Sequence, residues 1–123
     1  MNINQYIEAA LSDYVRGNIW PLVCPLEQQP NEFITYAPEE DTPEDFGDDE
    51  DTEWVYRMEI NWFKRGPSRL KPANYIKARR DIRSRLKAAG FTVTNILPYH
   101  ENDTGFTRLT FLAWITEDDD YGS

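Results

Sequence analysis

The triplet Asp103-Thr104-Gly105 has the most suggestive chemistry in this sequence, because Asp-Thr-Gly carries the catalytic aspartate of aspartic proteases. That chemistry needs two carboxylates about 3 Å apart that share one proton, so a short chain must dimerise to supply the second. Here the flanks are polar, with "HEN" before the triplet and "FTR" after it. Asn102, Asp103 and Gly105 stand between two strand-like runs, and these residue types favour a bend. The triplet therefore predicts a hairpin turn, and a dimeric aspartic protease acting through Asp103 is the remote alternative.

The other reactive residue types do not form a recognisable site. His100 is the single histidine and Cys24 the single cysteine, so a cluster of such ligands and an internal disulfide are both excluded. We expect His100 in a surface loop and Cys24 as a small buried apolar residue. The many carboxylates lack the ligand spacing of a calcium loop. The sequence thus predicts no catalytic residue, no metal and no cofactor.

The charge of the chain is divided along the sequence. Residues 39–53 hold ten of the 22 acidic residues and no basic one, whereas residues 64–87 hold ten of the 13 basic residues and one acid. The net charge of −9 argues against simple nucleic-acid binding, which depends on neutralising phosphates. A nucleic-acid-binding module built on the basic helix 71–89, or an acidic DNA mimic, remains the alternative. We favour a contact between the basic face of one subunit and the acidic loop of its neighbour.

Hydrophobic periodicity predicts the element order α-β-β-α-β-β. The expected elements are a helix over residues 3–15, a strand over 33–37, an alternating strand "EWVYRMEINWFKR", a helix between Pro72 and Gly90, and strands over 91–99 and 106–116. The segment "IWPLVCPLEQQP" should be an extended, packed connection, 38–53 a flexible acidic loop and 117–123 a loose tail. We predict one α+β domain over residues 1–123, with helices packed on a mainly antiparallel sheet. No apolar run is long enough to span a membrane, and the N-terminus reads as an amphipathic helix rather than a signal peptide.

The last strand carries the strongest indication of assembly. From residue 109 onward both of its faces are apolar, which requires either helices on both sides or a second subunit on one side. The sequence therefore predicts an oligomer or partner interface. Its expected members are four cations of the basic helix and three residues of the last strand, namely Arg79, Arg80, Arg83, Lys87, Arg108, Leu112 and Trp114.

The whole layout resembles the tail completion and tail terminator proteins of long-tailed bacteriophages. The resemblance is carried by "IEAALSDYV", "NEFITYAPEED", "EWVYRMEINWF", "ANYIKARRDIRSRLKAAGF" and above all "YHENDTGFTRLTFLAW". It spans nearly the full chain, and the long acidic loop at 39–53 departs from it.

The resemblance implies a non-enzymatic virion protein, assembled in the host cytoplasm, that forms a ring, usually a hexamer. Such a ring sits at the head-proximal end of the tail tube, stops tube polymerisation and offers a surface to the head connector. The implied partners are further copies of the chain, the tail tube protein and the head–tail connector proteins. DNA would be only a passing cargo, which an acidic lumen would not bind.

Overall fold

The computed structural model describes residues 2–39, 44–45, 53–66 and 72–118. It contains two α-helices, a short 3₁₀ helix and six strands. In chain order they are α1 (Ile3–Leu11), the 3₁₀ helix (Ser12–Val15), β1 (Ile19–Pro21), β2 (Glu32–Pro38), β3 (Glu44–Asp45), β4 (Glu53–Arg65), α2 (Pro72–Ala88), β5 (Thr92–His100) and β6 (Phe106–Asp118).

The six strands form one mixed sheet with the order β1-β2-β4-β6-β5, and β3 pairs with β4 outside this path. All pairings are antiparallel except that of β1 with β2. Two long strands, β4 and β6, lie at the centre and pair along their full thirteen residues. The predicted α+β class with a mainly antiparallel sheet is therefore confirmed.

The core lies between the two helices and one face of this sheet. In β4 the alternating residues Met58, Ile60 and Trp62 are buried, as the period of two predicts. In α2 the buried stripe contains Ala78, Ile82 and Leu86, at the helical spacing that the sequence shows. Each large apolar side chain removed from water stabilises the fold by about 1.5–3 kcal/mol. This burial fixes which surface of α2 remains for solvent.

The first helix is shorter than its apolar pattern predicts. The α-helix ends at Leu11, and a 3₁₀ helix carries the chain on to Val15. Arg16 then adopts a left-handed conformation with φ of 55°, which turns the chain toward β1. Leu11 and Val15 are still buried, so the tighter turn keeps the apolar face on the core.

The proline-rich connection is where the expectation of a packed segment is wrong. Its first three residues form β1, which escaped prediction because a three-residue strand ending in proline has no readable alternation. Beyond Pro21 the chain leaves the sheet, and Leu22, Val23 and Leu26 are 67%, 68% and 49% exposed. Cys24, expected to be buried, is only partly so. The prolines remove backbone donors and fix φ, which keeps this stretch from joining the sheet.

Most of the acidic loop predicted at 38–53 lies outside the described residues. Inside it, Glu44 and Asp45 pair with Val55 and Trp54 of β4. At the other terminus β6 continues through Asp118, two residues into the tail predicted at 117–123, and 119–123 lie outside the described residues.

Gly90 ends α2 with φ of +102°, and a Cβ built there would approach Ile115 Cδ1 to 3.3 Å. Both features disfavour any other residue, so Gly90→Ala should lower the free energy of unfolding by about 1–2 kcal/mol. Urea denaturation measures this change. Gly66→Ala is the matched control, because open space surrounds Gly66 and the same substitution there should have little effect. Equal losses at the two positions would contradict this interpretation.

Candidate functional site

The seven residues predicted as an interface lie on two opposite surfaces. The four α2 cations are exposed on the outer side of the helix, away from the core. Arg108, Leu112 and Trp114 alternate with the buried residues of β6 and therefore lie on the sheet face opposite the helices, where each is half-buried. We call that side the open face. The structure therefore supports two separate candidate surfaces and does not bring the predicted residues together.

The first surface is the basic outer side of α2. Two of its cations are engaged, since Lys77 binds Asp81 at 2.7 Å and Arg85 binds Asp13 at 2.7 Å. The other four, Arg79, Arg80, Arg83 and Lys87, make no salt bridge within the described part of the chain. They are therefore available for an acidic partner.

A small polar network holds α2 against the 3₁₀ helix. Tyr14 donates a hydrogen bond to Asp81 at 3.1 Å, and the Arg85 guanidinium lies 5.0 Å from the Tyr14 ring centre. Burial, together with the nearby Asp81 carboxylate, raises the pKa of Tyr14 to about 12. The hydrogen bond from Lys77 is the main cause that lowers the pKa of Asp81. The helix that carries the basic surface is thus held in position by its buried apolar stripe and by this polar network.

The second surface is an apolar patch on the open face of β5 and β6. Leu97 and Tyr99 are 47% and 52% exposed, and their cross-strand partners Thr110 and Arg108 place them on this face. We define the open-face patch as Leu97, Tyr99, Arg108, Leu112 and Trp114. Neither described helix packs on this face. Large apolar side chains grouped on an uncovered face are characteristic of a protein–protein interface.

Arg108 is the charged member of this patch, and its neighbours fix it in place. Its guanidinium lies 5.0 Å from the Tyr99 ring centre and donates to Glu101 at 3.4 Å. Its Nε is buried and has no hydrogen-bond partner among the described residues. A buried donor without an acceptor is unfavourable for the fold.

Near the hairpin, the rest of the open face consists of aromatic rings that pack on one another. Phe33 stacks on Phe63 with ring centres 4.6 Å apart, and Phe106 meets Phe33 edge-on at 5.4 Å. Arg65 lies over the Phe106 ring at 4.4 Å. Phe33 and Phe106 are only 2% exposed as a result. The open-face patch is therefore bounded, and it ends where this aromatic cluster begins.

The Asp-Thr-Gly triplet lies in the connection between β5 and β6. Gly105 has φ of +78°, and its N–H donates to the Glu101 carbonyl at 2.9 Å. The Thr104 hydroxyl donates to the Glu101 carboxylate at 2.8 Å, and Asn102 and Asp103 are exposed. These local bonds close the turn and leave Asp103 in solvent.

His100, expected in a loop, is instead the last residue of β5 and lies 3.3 Å from the Thr107 hydroxyl. Among the described residues, no group of three or more histidine, cysteine or acidic side chains is placed to hold a metal ion.

A third feature, which sequence reasoning missed, is a cationic cleft at the hairpin end of the sheet. The cleft has a volume of about 380 Å³ and lies where β2 begins and β4 ends. Its lining includes three cations, Arg16, Lys64 and Arg65, and one acid, Glu32. Nearly fifty positions separate Arg16 from Lys64 in the sequence, so only the fold brings them together.

Comparison with known proteins gives a fold relative and no family. No family model matches the chain, and no curated protein matches it either. Among solved structures, a chain of the "Virion of native gene transfer agent (GTA) particle" is similar with a TM-score of 0.64. The similarity covers 94% of this chain and 90% of that one at 12% sequence identity, so it establishes a shared fold. No helix in the described residues has the length and apolar character needed to cross a membrane.

Proposed function

We propose that this chain is a structural protein of a phage-type virion that forms a ring, of six copies in the simplest case, at the head-proximal end of the tail tube. There it ends tube growth and joins the tube to the head connector. The observation that carries the proposal is the fold, which this chain shares over nearly its whole length with a chain of a gene transfer agent virion. The family resemblance of the sequence points to the same role.

The surfaces of the chain support an assembling protein. A closed ring needs two unlike faces on each subunit, because each copy meets a different face of the next. The basic side of α2 and the open-face patch are unlike, and they lie on opposite sides of the molecule. The ring then buries Leu97 and Tyr99, which an isolated chain leaves about half exposed.

The proposal gives the chain no catalytic role. An aspartic protease holds its two carboxylates enclosed and in contact. The hairpin here presents Asp103 to solvent at a turn, so the triplet acts through its backbone geometry and sets the register of β5 on β6.

Light scattering coupled to size-exclusion chromatography tests the assembly directly. We expect either a species of about six times the 14.5 kDa chain mass, or a monomer that converts to this species when purified tail tubes of the same virus are added. A chain that remains monomeric and does not bind the tubes would contradict the proposal.

A nucleic-acid-binding module is the second candidate, and one observation favours it. Arg79, Arg80, Arg83 and Lys87 are exposed and free of salt bridges within the described residues, as phosphate-binding side chains must be. This candidate predicts binding to duplex DNA that falls steeply with salt and disappears in Arg80→Glu with Arg83→Glu. The proposed virion role predicts no such binding, in keeping with the net charge of −9.

A further inference from the structure

The cationic cleft at the hairpin end of the sheet has unsatisfied positive charge. Arg16 and Lys64 make no salt bridge among the described residues. Arg65 is held in position by the Phe106 ring and by a hydrogen bond to the Thr104 carbonyl at 3.3 Å, and neither contact neutralises it. The one acid of the lining, Glu32, accepts the indole N–H of Trp62 at 2.8 Å and keeps its negative charge, so three cations face one acid. The cleft therefore favours an acidic ligand.

The opposite end of the same sheet is acidic. The register places Glu53 opposite Asp118, and Glu117 opposite Trp54. Glu44 and Asp45 lie on the other side of β4 at this end. The acidic segment 39–53, with its ten carboxylates, connects the end of β2 to the start of β4.

The geometry prevents the acidic segment from reaching the cleft of its own chain. The thirteen residues of β4 separate Glu53 from Arg65, a span of about 40 Å at ~3.3 Å per residue. The longest stretch between paired residues of the segment is 46–52, since Glu44 and Asp45 are held on β4. Covalent geometry lets such a stretch extend no more than about 14 Å from its two anchors. An occupant of this kind must come from another molecule.

We propose that the cationic cleft binds the acidic segment 39–53 of a second copy of this chain, so that copies associate head to tail along the strand direction. Charge complementarity selects the occupant, since this one segment carries nearly half of the acidic residues. This contact deepens the proposed function and rests on it, because a ring needs two unlike faces on each subunit. It uses surfaces distinct from the open-face patch. It also gives the acidic segment, which departs from the family resemblance, a specific role.

A charge-swap experiment with full-length chains tests this contact. The cleft variant carries Arg16→Glu and Lys64→Glu, and the segment variant carries Asp48→Lys, Asp49→Lys, Glu50→Lys and Asp51→Lys. Each variant alone should self-associate at least about tenfold more weakly than the wild type, because like charges then meet at the contact. Mixed in equal amounts, the two should associate again, since each supplies the charge that the other needs. Analytical ultracentrifugation measures all three samples, at low and at high salt.

A matched control and a peptide probe make the result specific. Arg79→Glu with Arg83→Glu changes the charge by the same amount on α2. Because α2 is itself a face of the proposed ring, this control applies to peptide binding, where it should bind as the wild type does. A synthetic peptide of residues 39–53 should bind the wild-type chain and bind the cleft variant at least about tenfold more weakly.

The inference is overturned if the cleft variant associates as the wild type does, if the mixture fails to recover, or if the α2 control binds the peptide as weakly as the cleft variant does. It is also overturned if the wild type is monomeric and does not bind the peptide. A ring that forms normally from the cleft variant would sink this inference and leave the proposed function intact. Association through the cleft without any binding to tail tubes would support this inference and contradict the proposed function.

Discussion

Replacing Leu97 and Leu112 together with glutamate is expected to separate the proposed ring into single chains without unfolding them. Both side chains belong to the open-face patch, and neither is fully buried in the isolated chain. Two new carboxylates in a contact that excludes water would remain unpaired, which is strongly unfavourable. We expect association to weaken by at least about 2 kcal/mol, or about thirtyfold.

The control for this variant makes the same kind of substitution, an apolar residue to glutamate, on a different part of the surface. Val23→Glu combined with Leu26→Glu also converts two apolar side chains, which are 68% and 49% exposed, and neither lies in the open-face patch or on α2. Light scattering should show an intact ring for this pair, and far-ultraviolet circular dichroism should show the fold in both variants. A ring that survives the change at Leu97 and Leu112 would show that the open-face patch is not an interface.

Trp62→Ala is expected to cause the largest loss of stability of any single substitution considered. Trp62 is 2% exposed and lies on β4 between Ile34 of β2 and Leu109 of β6. Removing such a side chain leaves a cavity and lowers the free energy of unfolding by about 3–5 kcal/mol. Because the free energy of unfolding of a small domain is only about 5–15 kcal/mol, this loss is a large share of it. Urea denaturation followed by circular dichroism measures it.

Two further tryptophan variants separate the causes of that loss. Trp62→Phe keeps most of the volume and removes the indole N–H that binds Glu32, so it should lower the free energy of unfolding by about 1–3 kcal/mol. Trp114→Ala removes the same side chain from the open face, where it is half-buried, and should destabilise the isolated chain much less than Trp62→Ala. If the two alanine variants lose equal stability, the assignment of core and open face is wrong.

The elements with strong local periodicity could be predicted from the sequence. The strict alternation of β4 and the buried stripe of α2 each repeat over several turns or pairs, and both face the core as predicted. β1 could not be predicted in this way, because it has three residues and is held by its parallel pairing with β2 rather than by its own pattern. The end of α1 was predicted too late for a related reason. A 3₁₀ turn can keep the same residues on the apolar face, so the sequence pattern does not distinguish it from a continued α-helix.

The candidate surfaces were predictable only in part, because they depend on contacts between distant residues. The two apolar faces of β6 predicted either helices on both sides or a second subunit on one side. The position of Leu97 and Tyr99 on the open face follows only from the register of β5 on β6. Local spacing cannot show that the cations of α2 and the open face lie on opposite sides of the molecule. The cationic cleft joins residues from the start of the chain and from the end of β4, so no sequence motif marks it.

The most direct test of the central claim is the length of tail tubes assembled in the presence of this chain. Tail tube protein of the same virus is allowed to polymerise with and without it, and tube lengths and ends are measured by electron microscopy. The proposed function predicts shorter tubes that carry a ring at one end only, and no such effect from the Leu97→Glu, Leu112→Glu variant. Tubes of unchanged length with bare ends would contradict it.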